Sequence, residues 1–267
     1  MSNSKRPPYH GKPLGNDSRS NKPVKILIYD LETAPLLGYS WGKYEQDIIE
    51  FEKSWYILCF AYKWLGGKTK VLALPDFKTY KKNPEDDKEL VKELWKLFDE
   101  ADITIAHNNS DFDYKKSNTR FIENGLTPPS PYKVVDTLQV ARRHFKFPSN
   151  RLDDLGKDLG VGRKIEVGYS VWRDCLRGKP SAWRKMKRYN KNDVDLLYRM
   201  YEKLKPWMKE TITRNHDACP KCNSKSLVFN GWRQTTGRRY QRLRCNNCGG
   251  SCAERTGEKI EKTLMSL

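Results

Sequence analysis

A chain of 267 residues, 37% of them hydrophobic, is long enough to bury one full α/β core and still carry an appendage. It contains no run of about 18 apolar residues, which a membrane span requires, and its polar start, Met-Ser-Asn-Ser-Lys-Arg, has no secretory hydrophobic region. A soluble cytoplasmic protein, neither membrane-spanning nor secreted, is therefore expected. The net charge of +18 is unevenly spread: residues 1–149 hold 24 Lys/Arg against 20 Asp/Glu, and residues 150–267 hold 27 against 13. Such a field favours a polyanionic partner, nucleic acid first among them, although charge alone also fits a merely solubilising surface.

Residues 1–23 are rich in Pro, Ser, Asn and Lys and nearly devoid of apolar side chains, so a flexible basic arm is expected there. From Val24 to Thr33 runs a nearly continuous apolar stretch, Val-Lys-Ile-Leu-Ile-Tyr-Asp-Leu-Glu-Thr, the pattern of a central strand covered on both faces. Residues 55–64 and 70–74 flank Leu65-Gly-Gly-Lys-Thr and read as a hairpin closed by a glycine turn. Pro84-Glu-Asp-Asp opens a helix whose apolar positions, Leu90, Val91, Leu94, Leu97 and Phe98, recur at helical spacing. A fourth strand is expected at Ile103–Ala106, a helix from Asp113 to Asn124 stopped by Gly125, and a fifth strand at Lys133–Asp136. Asp136-Thr-Leu-Gln139 fits an N-cap with a capping-box Gln, leading into short helical pieces through Leu159. The last long helix spans about Ala182 to Lys205 and ends near Pro206. A three-strand meander followed by alternating strands and helices is the order of an RNase H-like α/β layer, a mixed sheet flanked by helices.

Carboxylates punctuate this order. Asp30 and Glu32 lie two apart on the first strand, so the pleat sends both to one face. There they repel each other and resist desolvation unless a cation lies between them; an ordinary surface strand carrying the same pair is the alternative. Asp111 and Asp113 follow the fourth strand and open a helix, at the sheet end where ligands of α/β layers gather, or else serve only as helix caps. Asp193 falls inside the apolar stripe of the last helix, among Met186, Tyr189, Leu196, Leu197, Met200 and Leu204, and a carboxylate there needs a partner. Asp195 points elsewhere, to solvent. Acids from two strand ends and two helices can converge on one site and hold two divalent ions about 4 Å apart, with Mg²⁺ or Mn²⁺ favoured by oxygen ligands. Tyr189, one turn from Asp193, either orients an attacking water or is a core tyrosine.

Asp30-Leu-Glu32, the Asn108-x-x-x-Phe112-Asp113 block and Tyr189-Asn-x-x-Asp193 resemble the three motifs of the DnaQ-like proofreading exonucleases in their tyrosine (DEDDy) branch. The resemblance implies metal ligation by Asp30, Glu32, Asp113 and Asp193, water positioning by Tyr189, contact with nucleic acid at Asn108 and Phe112, and 3′→5′ polarity. With Leu36-Leu-Gly-Tyr-Ser-Trp-Gly, Trp55-Tyr-Ile-Leu-Cys, Pro131-Tyr-Lys and a trailing four-cysteine segment, the chain is similar to stand-alone exonucleases often encoded by bacteriophages, which places it in a host cytoplasm. Asn192 stands where related sequences often show His.

The cysteines complete the picture. Cys59 and Cys175 are isolated; Cys219-Pro-Lys-Cys222 and Cys245-Asn-Asn-Cys248 form two knuckles, the spacing of one closed, structural zinc site, with Cys252 and His216 as less well spaced substitutes. Between the knuckles Arg233, Arg238, Arg239, Arg242 and Arg244 interleave with Phe229, Trp232 and Tyr240, the composition of a single-strand platform; aromatics that merely pack the ribbon, or a ribbon that docks a protein, are the alternatives. Arg184 and Arg188 precede Tyr189 and either line the substrate's approach or are solvated. The organisation expected is thus an arm at 1–23, an RNase H-like exonuclease domain at 24–210, a zinc ribbon at 215–255 and a tail at 256–267. The activity expected is metal-dependent 3′→5′ exonucleolysis, DNA favoured over RNA, on single-stranded 3′ ends. A non-catalytic nucleic-acid adaptor and an RNA-processing or endonucleolytic enzyme are the rivals.

Overall fold

The computed structural model describes residues 24–44, 47–209, 218–235, 237–254 and 256–260. The expected arm, His216 and the end of the tail lie outside them. Five strands form the main sheet: β1 (Ile26–Thr33), β4 (Ile57–Trp64), β5 (Lys70–Ala73), β6 (Ile103–Ala106) and β7 (Lys133–Asp136), in the order β5-β4-β1-β6-β7. β1 runs antiparallel to β4 and parallel to β6, so the mixed α/β sheet turns from meander to parallel at its central strand.

The near-continuous burial of β1 follows from cover on both faces. The ring of Tyr29 meets Phe98 of helix α1 (Lys88–Glu100) at 5.0 Å between centroids, while Asp30, one residue on, faces the last helix, α6 (Pro180–Leu204), through Asn190. Helix α2 (Asp113–Glu123) packs beside α1, where Phe121 and Tyr132 also close on Phe98. α6 lies across β1, β4 and β5 on the opposite face. Its stripe buries Met186, Leu197 and Met200 almost completely, each side chain contributing roughly 1.5–3 kcal/mol. Among the described residues no helix is long and apolar enough to cross a membrane.

Several local expectations change. The Pro84–Asp87 segment precedes α1 and does not form its first turn. Asp87 is instead buried, accepting from the Ile57 amide at 2.9 Å and pairing with Arg120 of α2; a buried amide and a guanidinium hold its oxygens more strongly than the helix end would. α6 begins two residues earlier, with Pro180 at its first position, where the missing N–H costs nothing. Asp195, expected in solvent, is half-buried, 2.5 Å from Thr69 Oγ1 and 3.9 Å from Lys63 Nζ. A two-stranded hairpin, β2 (Leu37–Tyr39) with β3 (Glu50–Lys53), and a short helix, α5 (Ser170–Leu176), have no counterpart among the expected elements. Helices α3 (Thr137–His144) and α4 (Leu152–Asp158) occupy the expected helical stretch. Asp136 caps α3 by accepting from Leu138 and Gln139 amides.

Beyond α6, a 3-10 turn at Lys205–Trp207 leads to a second, four-stranded sheet of β8 (Leu227–Gln234), β9 (Arg238–Cys245), β10 (Ser251–Ala253) and β11 (Glu258–Lys259). β9 is its spine, paired antiparallel with the other three strands. Lys221 donates to the Pro206 carbonyl, fastening the first cysteine knuckle to the end of α6.

Candidate metal centres and nuclease site

β1 and α6 bring three acids together. One oxygen each of Asp30, Glu32 and Asp193 lies within 4.8 Å of the others. Asp30 and Glu32 share a face because the pleat repeats every second residue; Asp193 arrives from the helix packed over that face. Asp113, the fourth acid of the expected set, is buried next door, its Oδ1 accepting from the Leu31 amide at 3.1 Å. It neither belongs to the three-acid cluster nor caps its own helix, which has no side-chain cap. Asp111 is exposed and paired with Lys115.

The electrostatics of this cluster are those of crowded, desolvated anions. Asp30 opens onto a cleft, yet the protein mass around it strips most of its solvation; burial first, then the charge of Asp193, push it up to about 7 against the pull of Lys164 and Asn190. Burial also raises Glu32, Asp113 and Asp193, with Asp30's charge adding to the first two. Tyr189 is held as the neutral phenol by burial and by the neighbouring Asp193 carboxylate.

Two residues that sequence reasoning missed organise the cluster. Lys164 places its ammonium 2.7 Å from Asp193 Oδ2 and 5.0 Å from the centre of the Tyr189 ring. Its loop is tied down by Asp153, which accepts from the Lys164 amide at 2.7 Å and pairs with Arg163, and by Asn192, which donates to the Arg163 carbonyl at 3.1 Å. Asn190, fully buried, donates from Nδ2 to Asp30 Oδ2 at 2.7 Å. Asn190 was detectable as a second polar residue on the apolar stripe; Lys164 sits in an irregular loop and left no periodic signal.

Next to the acids, with Lys164 and Tyr189 in its wall together with Ile165, Val167 and Trp172, lies a cleft of about 520 Å³ that the three acids themselves do not line, a volume suited to a nucleotide-sized ligand. Trp172 stacks edge-on to Tyr189 at 5.8 Å. Asn108 lines a neighbouring cavity that shares Asp153 and Lys164 with this cleft. Asn108 adopts φ 66° and its amide donates to Asp136 Oδ1, while the Ser110 amide donates to Asp136 Oδ2. Phe112 is exposed. Arg184 and Arg188 are exposed on α6.

The donor sets fit metal ions. Three clustered carboxylates face one ammonium, an excess of negative charge that a hard divalent cation would balance. Moreover, among the described residues neither buried oxygen of Asp193 has a well-directed hydrogen-bond donor, although the Lys164 ammonium and the Tyr189 hydroxyl both face it. In the ribbon, Cys219, Cys222, Cys245 and Cys248 likewise converge, with Sγ–Sγ separations of 3.7 Å (219 to 248) and 3.6 Å (222 to 245). A tetrahedron with Zn–S of about 2.3 Å has edges of about 3.8 Å. Burial opposes ionisation of Cys245, but the Cys248 and Asn247 amides outweigh it and bring the thiol down to about 7. Cys252 pairs opposite Leu243 in the sheet and is not one of the four.

Fold and site together define a mixed α/β protein of RNase H-like architecture with two candidate metal centres. Residues 53–205 match the RNase_H superfamily profile, and the chain belongs to that superfamily. The match begins after β1 and so takes in Asp113, Lys164 and Asp193 but not Asp30 or Glu32. Among solved structures, the chain is similar to the family B DNA polymerase from the hyperthermophilic archaeon Pyrobaculum calidifontis, with 18% identity and a TM-score of 0.52 over 70% of this chain. The similarity spans only 25% of the polymerase and is a likeness of fold. No curated protein matches the chain.

Proposed function

We propose that the protein is a metal-dependent 3′→5′ exonuclease of the DEDDy type that hydrolyses phosphodiester bonds at nucleic-acid 3′ ends. The observation that carries this reading is the meeting of Asp30, Glu32 and Asp193 next to Lys164 and Tyr189, which line a nucleotide-sized cleft. Asp30, Glu32, Asp113 and Asp193 would hold two Mg²⁺ or Mn²⁺ ions, which when bound supply Lewis acidity and an acidified water. Tyr189, kept as a phenol by Asp193 and burial, is a fixed hydrogen-bond donor or acceptor for the attacking water. Lys164 presents its ammonium against the acids and counters negative charge that accumulates on the phosphorus oxygens. Asn190 fixes the rotamer of Asp30, and Asn108 and Phe112 meet the strand end.

Likeness of fold to a DNA polymerase favours DNA, and a cleft of about 520 Å³ has room for one terminal nucleotide, which favours an unpaired 3′ end. The four cysteines hold one structural zinc. The resemblance of the three motifs to those of the DnaQ-like proofreading exonucleases supports the same activity. End-labelled single-stranded DNA with Mn²⁺ tests the proposal: a ladder of shortening products is expected, lost in Asp30→Ala. Cutting of circular single strands would make the activity endonucleolytic, and intact DNA and RNA under every divalent metal would leave only a binding role.

A further inference from the structure

The cations and aromatics of the ribbon interleave in sequence but separate in space. β9 reads Arg238-Arg-Tyr-Gln-Arg-Leu-Arg-Cys245, and the pleat alternates its side chains between two faces. Residues directly opposite in a ladder share a face. Leu227 opposes Cys245, Phe229 opposes Leu243 and Trp232 opposes Gln241, so the apolar side chains collect on one side. Two residues three apart on a regular strand would point oppositely; the irregularity between Phe229 and Trp232, with Gly231 at φ 80°, returns both to the same face. There Phe229 and Trp232 meet edge-on at 5.8 Å, Arg239 lies 4.7 Å over Trp232, and Glu258 neutralises Arg239.

The other face is different in kind. Arg244 opposes Val228 and Ser251, Arg242 opposes Ala253, Tyr240 opposes Arg233, and Arg238 opposes Lys259. Arg233, Arg238, Arg242, Arg244 and Lys259 are all exposed, and none of the ion pairs among the described residues involves them. Tyr240, the one aromatic ring on this side, is half-buried, lying where Gly257 leaves no room for a Cβ. Along β9 this face presents Arg238, Tyr240, Arg242 and Arg244 at successive two-residue steps of about 6.7 Å, so a ring interrupts the row of arginines. The sheet is rooted at the end of α6, whose length from Asp193 to Lys205 is about 18 Å.

We propose that this face grips the sugar–phosphate backbone of nucleic acid and is indifferent to whether the bases are paired. Five unneutralised cations gathered on one face match a polyanion, and the one ring among them, Tyr240, is half-buried and not free to stack on bases. The ribbon is therefore a backbone clamp, not the mixed single-strand platform that its composition suggests. It can hold duplex behind an unpaired 3′ end, so that the substrate class becomes a duplex with a frayed or overhanging terminus. The inference rests on the reading of nucleic acid as substrate, but not on hydrolysis.

Binding is measured by anisotropy with the zinc-loaded full chain carrying Asp30→Asn, without added Mg²⁺ or Mn²⁺, on labelled DNA of about 30 nucleotides, single-stranded or fully paired. Arg238→Gln/Arg242→Gln/Arg244→Gln should weaken both at least tenfold. On duplex it should lower the slope of log affinity against log salt by about 2.7, at about 0.9 per lost phosphate contact. Phe229→Ala/Trp232→Ala should leave both affinities within twofold. If the triple variant loses zinc, Arg242→Gln and Arg244→Gln singly should each lower the slope by about 0.9. An unchanged salt slope, or a loss of single-strand binding confined to the aromatic variant, overturns the inference. Backbone binding without any cleavage by the wild type would sustain it while removing the exonuclease reading.

Discussion

The ammonium of Lys164 lies 2.7 Å from Asp193 Oδ2 and over the ring of Tyr189, so the residue that carries positive charge into the carboxylate cluster also touches the phenol beside it. A lysine here acts in two opposed ways. It lowers the net negative charge that attracts a divalent cation, and it offers a cation to a developing phosphorane. Lys164→Met should therefore reduce kcat by about 10²-fold while leaving the Mn²⁺ concentration for half-maximal activity the same or lower. A metal titration of activity checks this; a rise in the Mn²⁺ requirement would show that Lys164 supports the metal site and not the reacting group.

The raised pKa of Asp30 makes a prediction about the metal-free protein. Its folded value, about 7, exceeds the ordinary 3.8, so between those limits the folded state binds more protons than the unfolded one. Stability must then fall as pH rises from about 4 to about 7, and level off above. Asp30→Asn removes the cost of ionising that position, stabilising the metal-free protein at pH 8 by on the order of 1–3 kcal/mol, less than the full shift implies because the neighbouring acids share the proton. At pH 3.5, below both values, the variant and wild type should unfold nearly alike. Thermal melts in chelator at the two pH values provide the measurement, and an equal melting temperature at pH 8 would contradict it.

Much of this site was legible because it sits on periodic elements. The apolar run of β1 marks a central strand, and its two-residue spacing puts Asp30 and Glu32 together. Asp193 betrays itself as a carboxylate on the buried stripe of α6. What the pattern leaves hidden sits off that periodicity or depends on a distant partner. Lys164 stands in an irregular loop held by Asp153 and Asn192. Asp87 looks like a helix-dipole residue until Arg120, on another helix, claims it. Composition likewise showed arginines and aromatics in the ribbon, but the irregularity at Gly231 decides which face each takes.

Asp136 is a structural acid whose loss should be felt at the site. Its two oxygens accept from the amides of Asn108, Ser110, Leu138 and Gln139, joining the start of α3 to the loop that leads to Asp113. Asp136→Ala leaves these donors unsatisfied and should cost about 2–4 kcal/mol, a cap and a charged hydrogen bond together. Hydrogen exchange should accelerate at residues 108–112 more than in β1. Uniform acceleration across the sheet would mean that Asp136 serves global stability and not the loop.

Zinc removal should separate the two sheets energetically. The main layer has its own core, centred on Tyr29, Phe60, Phe98 and Leu197, whereas the ribbon leaves Val228, Phe229 and Trp232 exposed and has too little apolar interior to hold itself together. Chelation of a four-thiolate site should therefore unfold the ribbon and expose the thiols of Cys219, Cys222, Cys245 and Cys248, while Cys59 and Cys175, both buried in the main core, stay silent. Cysteine labelling followed by peptide mapping reads this directly, and circular dichroism should retain the helical signal of α6. Simultaneous labelling of Cys59 with the ribbon cysteines would show that the main layer depends on zinc as well, and that the fastening of Lys221 to the Pro206 carbonyl carries stability from the ribbon into the helix that bears Asp193.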